Sequence, residues 1–350
     1  MATNSALNKT WSCDPHKRHP NFTSCPQCFR PATAQVASSI KEIGNLDHFI
    51  PDKQPGIFTP KLEIVERLIT EYLITPQLKC PYLLVLQLSV LNRRVDRDLI
   101  RNTWGSVAKT QTWPGRNINA DVKVVFVIAR QASEEPNKQN KTNRNQTHQE
   151  QIQSEADLHN DILYLDMIDS YRNLTLKLLS AFKWVRDNCP CLSFVLKVDF
   201  DTFVNVPLLL DALLYSESRL EFSILGMIYT GRSRVNRGGK WKVDKSLYPM
   251  ANFPEYASGC GYVVSMKALS KILDIIPHYK MFPVEDAFIT GVMRRVAGFK
   301  LFSPGRLFTH YLDKSWQKCQ MFHDRKVLGL TVRRQMIQEI WDSFVKDSCS

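Results

Sequence analysis

Two carboxylates one residue apart stand in the stretch Lys197-Val-Asp-Phe-Asp-Thr-Phe-Val-Asn-Val206. The apolar run Phe194–Val198 in front of them reads as a buried strand, and strand side chains alternate faces. Continued extension points Asp199 and Asp201 to one side and Phe200 to the other. Oxygen ligands at such a tip suit a hard divalent cation, Mn²⁺ or Mg²⁺, and the polyphosphate it carries. Asp-x-Asp is also common in surface turns. Its place at the end of a buried strand is what makes it a candidate site.

A second pair, Glu285-Asp286, opens the helical segment after Phe282-Pro-Val. Acids are favoured at a helix N-terminus on electrostatic grounds alone. The chemical alternative is a general base. A hydroxyl that attacks a sugar carbon bearing a diphosphate must give up its proton to a carboxylate, and the departing phosphate needs positive charge. Gly259 and Gly261 form a Gly-x-Gly turn feeding an apolar strand. That order excludes a dinucleotide fingerprint and fits close approach of backbone to a sugar or a neighbouring strand. His310 and His323 stand alone; either is a possible extra metal ligand or a structural residue.

The elements that must carry these groups alternate. Strands at 82–89, 122–129, 162–165 and 193–198 are separated by helices at 92–104, up to about 160, and 173–187. This predicts an α/β fold with a mainly parallel central sheet and helices on both faces. In such sheets ligands bind beyond the carboxyl ends of the strands, where Asp199 and Asp201 stand. Further on, the pattern gives a helix at 206–215, a strand at 223–228, a loop at 230–240 and a strand-like Trp241-Lys-Val243. A helix at 267–276 and a last helix at 332–346 follow. Residues 131–150 are polar and read as an exposed loop. Residues 1–75 read as a partly disordered stem or linker that ends in a short lead-in helix at 60–75, and 76–350 as one catalytic domain.

The chain has 350 residues and a net charge of +12. Its basic residues are scattered and no zinc-finger or RNA-binding signature is visible, so nucleic acid is not the expected partner. Nine cysteines and five Asn-x-Ser/Thr acceptors (Asn8, Asn21, Asn140, Asn145 and Asn173) point to the secretory pathway, where disulfides form. The longest apolar run, Tyr82–Leu91, is about half of what spans a bilayer. Residues 1–30 show no apolar signal segment, so any membrane anchor is expected outside this sequence.

Five segments in order resemble the β1,3-glycosyltransferases, which include β1,3-galactosyltransferases and β1,3-N-acetylglucosaminyltransferases (glycosyltransferase family 31). They are Ile100-Arg-Asn-Thr-Trp-Gly105, Asp169–Lys177, Lys197–Asn205, Tyr256–Val263 and Pro283–Phe288. The resemblance runs from about Cys80 to the end. It implies a GT-A fold and an inverting, Mn²⁺-dependent (or Mg²⁺-dependent) hexosyl transfer from a UDP-sugar to the 3-hydroxyl of a glycan on a glycoprotein or glycolipid. It further implies a Golgi membrane protein with a lumenal catalytic domain. By the same resemblance Asp201 binds the metal, with Asp199 at the metal or the nucleotide. Asp286 is the general base, and Arg101, Gly259, Gly261, Tyr262 and Glu285 belong to the donor and acceptor pockets. Two departures stand out. The family's three consecutive acids read Asp-Phe-Asp here, and Leu328-Gly-Leu330 occupies the place of a metal-binding histidine. They leave a non-catalytic sugar-nucleotide or glycan-binding relative as the alternative.

Overall fold

The computed structural model describes residues 64, 66–69, 71–131, 144–231, 233–305, 308–312, 317–323, 326–330 and 332–349. Asn8, Asn21, Asn140 and most of the expected stem lie outside them.

The first half builds β1 (Tyr72–Ile74), β2 (Leu83–Leu88), α1 (Arg94–Asn102), a small hairpin of β3 (Thr112–Trp113) and β4 (Arg116–Asn117), and β5 (Val122–Arg130). It continues with α2 (Arg144–His159), β6 (Ile162–Ile168), α3 (Leu174–Asn188) and β7 (Phe194–Val198). The second half adds β8 (Phe203–Val204), α4 (Val206–Leu220), β9 (Ser223–Tyr229), β10 (Tyr256–Ser265) and α5 (Met266–Ile275). A π-helical segment Ala287–Met293, β11 (Lys300–Phe302), β12 (Thr309–Tyr311), β13 (Leu328–Leu330) and α6 (Arg334–Lys346) complete it.

Eight strands form one sheet in the order β1-β6-β5-β2-β7-β10-β9-β11. Its centre, β6-β5-β2-β7, is parallel throughout, while β10 is antiparallel to both β7 and β9. The α/β expectation holds. The central strands are apolar on both faces because both faces are covered. On β2, Leu83 and Val85 enter one core with Ile100 of α1 and Leu209 of α4. Their neighbours Leu84, Leu86 and Leu88 enter the other, with Leu178 of α3 and Leu269 of α5. Each such buried side chain contributes roughly 1.5–3 kcal/mol of apolar burial.

Helix starts follow local chemistry. The Asn205 side chain accepts from Leu208 N at 3.2 Å and a proline stands in the first turn of α4. Ser265 caps α5 by accepting from Ala268 N at 3.2 Å.

Four expectations are corrected. Tyr72–Ile74 joins the sheet as an edge strand beside β6, so the described part of 60–75 is not helical and the sheet begins ahead of residue 76. An aromatic and a β-branched residue with an open sheet edge to pair favour extension there. Residues 144–150 are already helical, so Asn145 stands in α2 and not in a loop. Trp241–Val243 forms no strand; Trp241 is half exposed. Gly259 and Gly261 lie within β10, whose pairing with β9 is interrupted between Ala257 and Tyr262.

Candidate active site

Beyond Val198 the chain leaves the strand and turns at Phe200 and Asp201. The turn is pinned from two sides. Asp199 N and Thr202 Oγ1 both donate to Cys260 O, at 3.4 and 3.1 Å, and Val332 N donates to Asp201 O at 2.8 Å. Strand alternation therefore ends before the carboxylates. Phe200 and Asp201 line one cavity instead of facing apart.

Antiparallel pairing sets Tyr262 opposite Lys197 and Gly261 opposite Val198. A Cβ on Gly261 would meet Leu328 Cδ1 at 2.4 Å, so any larger residue there requires that buried leucine to shift. This register brings the backbone of Gly259 over the end of β7, where Lys197 is buried. Its Nζ donates to Asp199 Oδ1 at 2.8 Å and to Gly259 O, and pairs with Glu285 Oε1 at 2.6 Å. Burial opposes the ammonium charge, but Asp199 and Glu285 outweigh it and hold Lys197 well above its ordinary value.

Glu285 and Asp286 reach this lysine from the first turn of the following helix. Glu285 is buried, and Tyr262 OH donates to its Oε2 at 3.4 Å. Burial pushes its carboxyl up to about 7; the Lys197 charge opposes this and the Asp286 charge adds to it. Asp286 is half-buried and accepts from Gly259 N and from Ala287 N, both at 2.8 Å. Burial raises it too, against the pull of Lys197 and of the two N–H groups. Thr290 Oγ1 donates to Asp286 O at 2.7 Å and holds the turn in place. Burial raises the Tyr171 phenol, with the charges of Asp286 and Glu285 adding to the shift.

Asp201 sits on the far side of Asp199. Burial raises its carboxyl, and repulsion from Asp199 adds to the shift. A divalent cation relieves that repulsion, and paired carboxylate oxygens are the donors Mn²⁺ or Mg²⁺ prefers. No group of three or more His, Cys, Asp or Glu is arranged for a metal among the described residues. The remaining ligands would be phosphate and water oxygens. His323 packs its ring on Phe322 at 5.0 Å, and the His310 side chain is not described.

The structure thus gathers Asp199, Gly259, Tyr262, Glu285 and Asp286 around Lys197, with Asp201 adjoining. Arg101 is not part of this group. It is buried on α1, pairing with Asp161 at 2.7 Å, Glu155 at 2.8 Å and Asp98 at 2.7 Å, its guanidinium 4.8 Å from the Phe126 ring centre. A separate cavity of about 320 Å³ lies there. The Asp169–Lys177 segment is explained by another buried ion pair, Lys177 Nζ to Asp169 Oδ2 at 2.7 Å. Asn173 is half-buried and donates from Nδ2 to Ile168 O at 2.9 Å. One participant escapes sequence reading in any role, Lys197; a lysine inside an apolar strand is the signal that marks it.

Known proteins share much of this sequence. The profile described as galactosyltransferase matches residues 95–303. Beta-1,3-galactosyltransferase 5 of Pan paniscus is 30% identical over 222 residues, which is 62% of this chain and 65% of that protein. Beta-1,3-galactosyltransferase 4 of Homo sapiens is 32% identical over 247 residues, 62% of this chain and 61% of that protein. Beta-1,3-galactosyltransferase 1 of Mus musculus is 28% identical over 232 residues, 65% of each. The chain spans less than two thirds of the length of these relatives. Among solved structures, the WbbM bifunctional glycosyltransferase covers 79% of this chain and 53% of its own at a TM-score of 0.40 and 11% identity, and no reading rests on that likeness. On the profile match, which takes in both carboxylate pairs, the chain belongs to the galactosyltransferase family.

Proposed function

We propose that this protein is an inverting hexosyltransferase that moves galactose or N-acetylglucosamine from a UDP-sugar to the 3-hydroxyl of a glycan on a glycoprotein or glycolipid. The observation that carries the reading is the half-buried Asp286 carboxylate, fixed by two backbone N–H groups beside the Lys197–Asp199–Glu285 cluster. A fixed carboxylate raised by burial is suited to take a proton. Glu285, buried on Lys197 and Tyr262, positions that turn at the edge of the proposed pocket.

In the proposed step the acceptor hydroxyl loses its proton to Asp286 as its oxygen bonds to the anomeric carbon from the face opposite the diphosphate. The carbon–oxygen bond to the diphosphate breaks, and its electron pair leaves with UDP. Asp199 and Asp201 would hold Mn²⁺ or Mg²⁺, which when bound supplies positive charge to the leaving diphosphate. Gly259 and Tyr262 shape the pocket from β10. A place in the Golgi lumen is part of the same proposal. No helix of the described residues is long and apolar enough to cross a membrane.

The test is UDP binding with and without Mn²⁺. Asp201→Ala is expected to weaken the Mn²⁺-dependent part of the affinity by tenfold or more, roughly the effect of losing one charged ligand contact. Unchanged affinity removes Asp201 from the metal.

A further inference from the structure

The far side of Asp201 opens into a cavity of about 150 Å³ lined by Arg93, Asp96, Phe200, Asp201, Arg333 and Arg334. Three guanidinium groups face two carboxylates, so the lining has an excess of positive charge. Asp96 is buried and shared: Arg93 Nη1 lies 3.1 Å and Arg334 Nη2 3.0 Å from its Oδ2. Arg333 has no ion pair among the described residues and is exposed at the start of α6.

Phe200 decides what Arg93 can do. The guanidinium lies over the Phe200 ring, 4.6 Å from its centre, and the ring is 41% exposed. Face-on stacking occupies the plane of the guanidinium and leaves N–H edges open for hydrogen bonds. An acid at position 200 would instead pair with those edges and cancel the charge. The Asp-Phe-Asp sequence therefore puts one carboxylate fewer beside Arg93, whose N–H groups other than the Nη1 bonded to Asp96 stay available.

The placement relative to the catalytic group gives the ligand. Asp199 joins Lys197, beside Glu285 and Asp286, whereas Asp201 adjoins the arginines. A donor whose reacting carbon is near Asp286 extends its diphosphate past Asp199 and Asp201 toward Arg93, Arg333 and Arg334. We propose that these three arginines form a clamp for a diphosphate, so that the donor is held in part without a divalent cation. Naming the ligand as a nucleotide-sugar diphosphate rests on the proposed transferase reading. The clamp itself requires only that a diphosphate binds there.

The experiment is calorimetric titration of the full chain with inorganic pyrophosphate and with UDP, in EDTA and then in Mn²⁺. Both ligands are expected to bind in EDTA, more weakly as salt is raised. Arg333→Ala, and Arg93→Ala with Arg333→Ala, are expected to raise the pyrophosphate Kd about tenfold or more, since each guanidinium gives a charge-assisted contact. Phe200→Asp is expected to do the same. Thermal unfolding of each variant shows that it remains folded, and the exposed Arg333 makes the single variant the safer one. Absence of pyrophosphate binding in EDTA, or binding unchanged in the arginine variants, overturns the clamp. Pyrophosphate binding through the arginines with no UDP binding in either condition keeps the clamp and removes the nucleotide-sugar reading.

Discussion

The Asp286 carboxylate rests on the backbone of Gly259: Gly259 N donates to Oδ2 at 2.8 Å, and a Cβ built on residue 259 would lie 3.0 Å from that same oxygen. Glu285 Oε1 would be 3.2 Å from it. A side chain at residue 259 thus crowds the carboxylate that this contact aligns. Gly259→Ala is expected to displace Asp286 and lower kcat by roughly 10²-fold, the cost of a misplacement of about 1 Å, with KM for the donor little changed. Steady-state kinetics on the purified variant measure this; wild-type kcat would mean that Asp286 need not be held there.

Lys197 is the electrostatic hub. Its removal leaves Asp199 and Glu285 without their cation in a buried setting. Lys197→Met is expected to cost about 3–5 kcal/mol in urea unfolding, as when one partner of a buried pair is deleted. Adding Glu285→Gln should recover part of that loss, so the double variant is less destabilised than the two singles summed.

The fold and the site were legible to different degrees. Strands β2, β5 and β7 are continuous apolar runs bounded by polar residues, and burial on both faces produces that pattern directly. Asp199, Asp201, Glu285 and Asp286 were legible because they stand at strand and helix ends. The role of Lys197 was not: one of its partners, Gly259, is 62 residues away, and only the register of β10 on β7 reveals the contact. The turn at Phe200–Asp201 was missed for a similar reason, because Val332 and Cys260 fix it from remote segments. Arg101, a charged residue in a family-like segment, stands among Asp98, Glu155 and Asp161 and lines a separate cavity, an arrangement set by residues remote in sequence.

Acid stability should report the buried Arg97–Glu155 pair, 2.6 Å apart. Burial pushes the Glu155 carboxyl up, but Arg97 and Arg101 outweigh it and hold the group below its usual 4.5. A depressed carboxylate contributes its stability above the unfolded value and loses it as pH falls through the folded one. The urea midpoint is therefore expected to fall below pH 4.5. Glu155→Gln should be destabilised by about 3–5 kcal/mol at pH 7 and show a shallower acid limb. An acid limb as steep as the wild type's would assign the transition to other carboxyls.

The Cys319–Cys349 disulfide closes a separation of 30 residues around α6. Cys319→Ser with Cys349→Ser is expected to lose about 3–4 kcal/mol of stability from the greater freedom of the unfolded chain. Differential scanning calorimetry with and without reductant gives the comparison, and equal Tm values in the two conditions would show that the bond adds nothing.

Base catalysis at Asp286 is decided by a transfer assay on Asp286→Asn. The assay uses UDP-galactose and UDP-N-acetylglucosamine with Mn²⁺ over a panel of glycan acceptors, alongside UDP binding. The wild type is expected to form a β1,3-linked product with at least one donor. The variant should lose turnover by 10²-fold or more, the usual span of a general base, while binding UDP as tightly as the wild type. Turnover by Asp286→Asn at the wild-type rate would contradict the account.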